Sequence, residues 1–138
     1  MIKGSLKRRT TPSRENYLKT ILGLSGEVCI RSIDIANALG VSKASVSNMM
    51  AVLMEEGYVT KEKHGPIHLT ESGRCVAVRV KKKYELFKNF LHHVLGVEAS
   101  IAAEDACRME HLISAETTER ISRQLESLSE CLDEAEFL

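Results

Sequence analysis

Hydrophobic residues recur at helical spacing through most of this chain, with one short interval where the period changes to two. Thr11-Pro12-Ser13 reads as a helix start, with a capping hydroxyl, a proline in the first turn and Glu15 close behind. Tyr17, Leu18, Ile21, Leu22 and Leu24 then give that helix an apolar face up to Gly26. Val28-Cys29-Ile30 is strand-like. Arg31 to Leu39 reads as a compact helix, with Ser32 as its N-cap and Ile33, Ile35, Ala36 and Leu39 pointing inward. Gly40 supplies the backbone freedom for a sharp turn. Ser42 caps a further helix, Lys43 to about Glu56, whose inner face is Val46, Met49, Met50 and Leu53. Two short helices joined through Leu39-Gly40-Val41-Ser42 form the helix-turn-helix arrangement, with capping, glycine placement and periodicity in agreement.

The period-two interval follows. Tyr58 to Lys63 alternates as a strand, His64-Gly65-Pro66 is a turn, and Ile67 to Thr70 is the partner strand. A hairpin directly after the second helix of such a motif is a wing, though it could also serve only to cover the helices. From Thr70 to Gly73 another capping stretch opens a long helix to about Val94, with Val76, Val80, Leu86, Phe87, Phe90, Leu91 and Val94 on its apolar side. Gly96 ends it. Residues 98–112 predict one more helix, and Ser114 caps a last one with Ile121, Leu125 and Leu128 at helical spacing and an acidic exposed side. The expected fold is therefore mainly α: a winged helix-turn-helix domain over 1–74 and a helical domain over 75–138.

Composition adds limits. No apolar run approaches the roughly 18 residues of a membrane span, and no apolar segment follows the basic start, so a cytoplasmic protein is expected. Cys29, Cys75, Cys107 and Cys131 contain no C-x-x-C pair, which fits reduced thiols better than a disulfide framework. A net charge of zero conceals an asymmetry. Residues 1–83 hold 15 Lys and Arg against 7 Asp and Glu, whereas 84–138 hold 4 against 12. A basic half joined to an acidic half suggests that the first meets a polyanion. Basic residues at 1–9 (Lys3, Lys7, Arg8, Arg9) and at Arg79 to Lys83 could approach phosphate or could be solvated faces.

In a helix-turn-helix, the second helix enters the major groove with its N-terminal residues at base edges. Here that surface is Ser42, Lys43, Ala44, Ser45, Ser47 and Asn48. The Asn48 amide can pair with an adenine edge, and Ala44 can pack on a thymine methyl. Lys43, with Ser42 at the helix start, suits phosphate. Lys61 and Lys63, with His64, would add backbone contacts from the wing. So small a module binds weakly alone, and a homodimer on a palindromic duplex is the expected form.

The densest potential chemistry lies in Glu104-Asp105-Ala106-Cys107-Arg108-Met109-Glu110-His111. Read as a helix, it sets Cys107, Glu110 and His111 at i, i+3 and i+4, on one face. Thiolate, carboxylate and imidazole suit a transition metal. A buried cysteine beside a surface Glu-His pair is the ordinary alternative. No second constellation offers a placed acid or base beside an open metal position, so no enzymatic activity is expected.

Together, these features resemble the iron-dependent repressor and manganese transport regulator family over roughly residues 10–128. The resemblance rests on Thr11 through Tyr17-Leu18, Ile35-Ala36, Leu39-Gly40-Val41-Ser42 and Ser45-Val46-Ser47 in the first half. Leu69-Thr70 with Gly73 and Asp105 through His111 carry it onward. It implies the short form, without an SH3-like domain: a dimeric repressor of metal-uptake genes whose affinity for operator DNA rises with a divalent metal. By the same resemblance, Cys107, Glu110 and His111 match the primary ligands, and Asn16 stands where the family places a first-helix ligand. One ion per subunit is expected, Fe²⁺ or Mn²⁺, with Co²⁺, Ni²⁺ and Zn²⁺ as further candidates. Lys19, Tyr84, Lys88 and Ala103 depart from what the family places at its ligand positions, so that a second ion is not expected and the first site lacks an imidazole where Tyr84 stands. The alternative is a winged-helix regulator with a vestigial metal site, answering to redox through Cys107 or to a small molecule.

Overall fold

A computed structural model of the chain describes residues 10–26 and 29–136. The basic tail expected over 1–9 and the first residue of the Val28-Cys29-Ile30 piece lie outside the described residues. Contacts divide the chain into two compact units, 1–79 and 80–138.

The first unit opens with α1 (Pro12–Leu24), where Thr11 is the cap and its hydroxyl accepts from the Arg14 N–H. Tyr17, Leu18 and Ile21, at i, i+1 and i+4, are buried against α2 (Ser32–Leu39) and the wing. The start of α2 differs from the sequence expectation. Arg31 is the cap, and Asp34 reaches back to accept from the Arg31 N–H at 2.8 Å, half of a capping box that does not involve Ser32. Ser32 is thereby released for another bond, described below. Ile33, expected inward, is 40% exposed, because Ile35 and Ala36 already fill the buried face of this eight-residue helix.

Gly40 turns the chain in the left-handed region, φ 66°, where a β-carbon is disfavoured. Beyond it, α3 (Lys43–Glu55) buries Val46, Met50 and Leu53, while Met49 is only half-buried. The wing is shorter than the alternation predicts: β1 (Val59–Lys61) pairs antiparallel with β2 (Ile67–Leu69) in the register Val59↔Leu69 and Lys61↔Ile67. Val59 and Ile67 face the core, and Thr60 and His68 face outward. The Ile30 carbonyl accepts from the Ile67 N–H at 2.8 Å, but one such bond makes no ladder, so the expected strand at 28–30 does not form among its described residues.

One long helix, α4 (Glu71–Asn89), leaves the wing. Its first turn passes so close to the chain after α3 that a β-carbon on Gly73 would stand 1.9 Å from the Tyr58 carbonyl oxygen. The helix does not reach Val94 in α form: Phe90–Val94 make a π-helical turn, with Leu95 N–H bonded to the Phe90 carbonyl. In the second unit, α5 (Ala99–Met109) packs on that π turn, and Ala102 and Ala106 are buried. Last comes α6 (Ala115–Glu136), its first turn capped by the Ser114 hydroxyl accepting from Thr117 N–H. Among the described residues, Val80, Phe87 and Leu91 complete the buried apolar residues of this unit.

Candidate DNA-reading surface and metal-ligand cluster

The burial of Val46, Met50 and Leu53 decides which side of α3 faces outward. Lys43, Ala44, Ser47 and Asn48 form an exposed stripe on the other side, at i, i+1, i+4 and i+5. Ser42 and Ser45 are exposed as well but already bonded. The Ser42 hydroxyl caps the helix by accepting from Ser45 N–H at 3.1 Å, and it donates to the Ser45 hydroxyl at 2.9 Å. No acidic side chain sits in the first turn of α3, so its N-terminal dipole is not neutralised there.

The two wing lysines differ. Lys63 is exposed in the turn. Lys61 is half-buried, and its ammonium donates to the Ser32 hydroxyl at 3.0 Å, tying the wing to the first turn of α2. The sequence offered no sign of that tie, since it spans 29 positions. A second link was equally invisible: Arg14 in the first turn of α1 meets Glu56, the C-cap of α3, at 2.7 Å.

On the second unit, the expected helix over 98–112 ends early. Cys107 lies in the last turn of α5, half-buried. Glu110 is the C-cap, and His111 stands in the turn beyond it. The backbone still curls as a helix would, with Glu110 N–H on Ala106 and Ile113 N–H on Met109, so the three side chains stay near one helix end. The Glu110 carboxylate is fully buried, and His111 Nε2 lies 3.1 Å from Glu Oε1 with its ring almost as deep. Burying a carboxylate is costly without such a partner. Among the described residues no three His, Cys, Asp or Glu side chains gather tightly enough to hold an ion by themselves. By donor chemistry, thiolate, carboxylate and imidazole fit a first-row divalent ion. Geometrically, Glu110 and His111 are together.

Asn16 belongs to the first unit, half-buried on α1, as is Lys19. The Lys88 ammonium lies 5.8 Å from the Tyr84 ring centre, within cation–π range. His92 and His93 are exposed, and His92 Nδ1–H donates to the Val97 carbonyl at 2.8 Å. Among the described residues no helix is long and apolar enough to cross a membrane.

A capped second helix with an outward polar stripe, followed by a two-stranded wing, defines a winged helix-turn-helix DNA-binding protein, here joined to a helical unit that carries Cys107, Glu110 and His111. Comparison with known proteins narrows this class. Residues 9–66 match the model for the iron-dependent repressor N-terminal DNA-binding domain, and residues 70–136 match that for the iron-dependent repressor metal-binding and dimerisation domain. An uncharacterised HTH-type transcriptional regulator of Methanocaldococcus jannaschii is 34% identical over 73% of this chain and 81% of its own length. The HTH-type transcriptional regulator MntR of Bacillus pumilus is 34% identical over 81% of this chain and 78% of its own. Among solved structures, that of the manganese regulator SloR superposes with a TM-score of 0.73 at 32% identity. It matches 85% of this chain, which spans 55% of that structure. The chain belongs to the iron-dependent repressor family of metal-dependent transcriptional regulators.

Proposed function

We propose that this chain is a metal-responsive repressor, acting as a homodimer on a palindromic operator of metal-uptake genes. One divalent transition ion per subunit raises its affinity for DNA. The observation that carries this reading is the pairing, in one chain, of the exposed α3 stripe with the buried Glu110–His111 contact one turn from Cys107. Cys107, Glu110 and His111 would hold the ion, with an oxygen of Asn16. Asn48 and Ala44 would read base edges, with Ser47 beside them. Ser42, Ser45 and Lys43 would engage phosphate at the start of α3. Lys63 would add a backbone contact from the wing, and Lys61 would do so from its tethered position. When bound, the ion supplies a cross-link between donor groups; its affinity difference between two states of the protein is what shifts DNA binding.

A second reading keeps the DNA-binding half and makes the metal site vestigial. It draws on the Tyr84–Lys88 pair at family ligand positions. One experiment separates the two. A duplex selected from a random pool with Mn²⁺ present is titrated at fixed salt, by fluorescence anisotropy, with Mn²⁺, Fe²⁺, Co²⁺, Ni²⁺ or Zn²⁺ and with a chelator. An increase in affinity of about fivefold or more with at least one ion is expected. Equal affinity in every arm would remove the metal switch and leave the DNA-binding reading standing.

A further inference from the structure

The strands of the wing end at the pair Lys61↔Ile67, and both members of that pair are tied to one stretch outside the wing, 30–32. The Ile67 N–H donates to the Ile30 carbonyl at 2.8 Å, and the Lys61 ammonium donates to the Ser32 hydroxyl at 3.0 Å. Residues paired across antiparallel strands share a face. Ile67 is buried, so Lys61 lies on the inner side of the wing, and its ammonium turns toward α2, away from the outer face of Thr60 and His68. Beyond the pair comes the turn over 62–66, with Lys63 and His64 exposed on it. Gly65 N–H donates to the Glu62 carbonyl at 2.8 Å, and a β-carbon on Gly65 would stand 2.9 Å from that of Glu62, so the turn is closed and tight. A two-stranded ribbon is marginal by itself. Burial of Val59 and Ile67 holds its base, and the direction of the turn is set where its two legs leave the last pair. Ser32 opens α2, which packs on the reading helix α3.

We propose that Lys61 is a positioning residue: its bond to Ser32 fixes the wing turn against α2, and so sets where Lys63 and His64 meet DNA relative to α3. This rests on the DNA-binding reading above and adds the route by which Lys61 acts. A closed turn moves as one piece, so holding its first leg holds both exposed side chains. Ser32 thereby becomes a determinant of DNA affinity without touching DNA.

The test uses the full chain, a duplex selected from a random pool and Mn²⁺ in every arm, with affinity read by fluorescence anisotropy and melting by circular dichroism. The capping box of Arg31 and Asp34 does not involve Ser32, so Ser32→Ala leaves that helix end in place. This variant is expected to weaken DNA binding about two- to fivefold, the scale of one partly exposed hydrogen bond. Ser32→Thr keeps the hydroxyl and is expected to bind as wild type does. Combined variants separate positioning from direct contact. Ser32→Ala is expected to cost nothing further in Lys61→Met, which lacks the ammonium, or in Lys63→Ala/His64→Ala, where the turn has lost the groups to be positioned. Full additivity in either background would overturn the proposal, because Ser32 would then act by a route of its own. Unchanged affinity in Ser32→Ala, with or without lower melting, would overturn it too and leave a purely structural bond. Both results leave the DNA-binding reading standing, whereas a wild type that selects no duplex would overturn both.

Discussion

Gly73→Ala is the most demanding substitution this fold offers. The position is helical and needs no left-handed backbone, so local propensity alone makes alanine better by about 1 kcal/mol. The structure says otherwise. The new β-carbon would lie 1.9 Å from the Tyr58 carbonyl oxygen and 2.8 Å from the carbonyl carbon. Ordinary contact distances are ~3.5 Å, so backbone must retreat from backbone by well over an ångström. The contact lies inside a hydrogen-bonded knot. Thr70 N–H donates to the Tyr58 carbonyl at 3.0 Å, the Thr70 hydroxyl donates to the Gly57 carbonyl at 2.6 Å, and Gly73 N–H donates to that hydroxyl at 3.1 Å. Losing these three, at about 1 kcal/mol each, against the propensity gain leaves a net destabilisation of roughly 2 kcal/mol. For a unit of this size that corresponds to a fall in melting temperature of about 10 °C. Thermal melting followed by circular dichroism, with urea unfolding beside it, reads the change directly. A variant that melts within about 2 °C of wild type would refute the reasoning, and one that melts higher would show that propensity governs the site.

Other substitutions probe separate parts. Leu18→Ala empties a fully buried site on α1 and should cost about 2–5 kcal/mol in urea unfolding; a loss below 1 would mean that the first unit repacks freely. Asn48→Ala should relax preference at one base by about 1–3 kcal/mol, whereas Lys43→Ala should weaken all duplexes alike and reduce the salt slope by about 1. Identical profiles in a binding selection at two salt concentrations would count against that division of labour. His111→Ala removes a partner of the buried Glu110 carboxylate. It should abolish the metal-induced gain and lower metal affinity by at least about tenfold, seen by calorimetry with Mn²⁺ and Zn²⁺; unchanged heats would place the ligands elsewhere.

The fold was readable wherever a local rule fixes an outcome. The Ser42 cap, the Gly40 turn, the proline at the start of α1 and the period-two wing are all decided within a few residues, and each stands where the pattern puts it, the wing with shorter strands than the alternation predicts. Failures came where two local solutions compete. At the start of α2, Ser32 is the better capping residue by type, but Asp34 can satisfy the backbone from the third helical position, and that choice frees the Ser32 hydroxyl for Lys61. Periodicity through Phe90 to Val94 is helical, and nothing in it distinguishes a π turn from an α turn. Long-range ion pairs such as Arg14–Glu56 leave no periodic trace at all.

The donor cluster shows the same limit in a form that bears on function. Spacing placed Cys107, Glu110 and His111 on one helical face, and three donors on a rigid helix would be a nearly preformed site. Because α5 ends at Met109, only Cys107 is held within the helix, while Glu110 and His111 occupy its cap and the turn after it. Residues at such an end are restrained by fewer backbone hydrogen bonds, so their positions can answer to a ligand. The Glu110–His111 contact then has a second role besides satisfying a buried carboxylate. It also keeps the Glu110 carboxylate and the His111 imidazole adjacent, 3.1 Å apart, where an ion bound there would find both. Donors so placed are less preorganised than a helix-borne triad, and an ion binding them would use part of its binding free energy to order Glu110 and His111. Whatever the cost of that ordering, a ligand shifts DNA binding only by its differential affinity for two states of the protein.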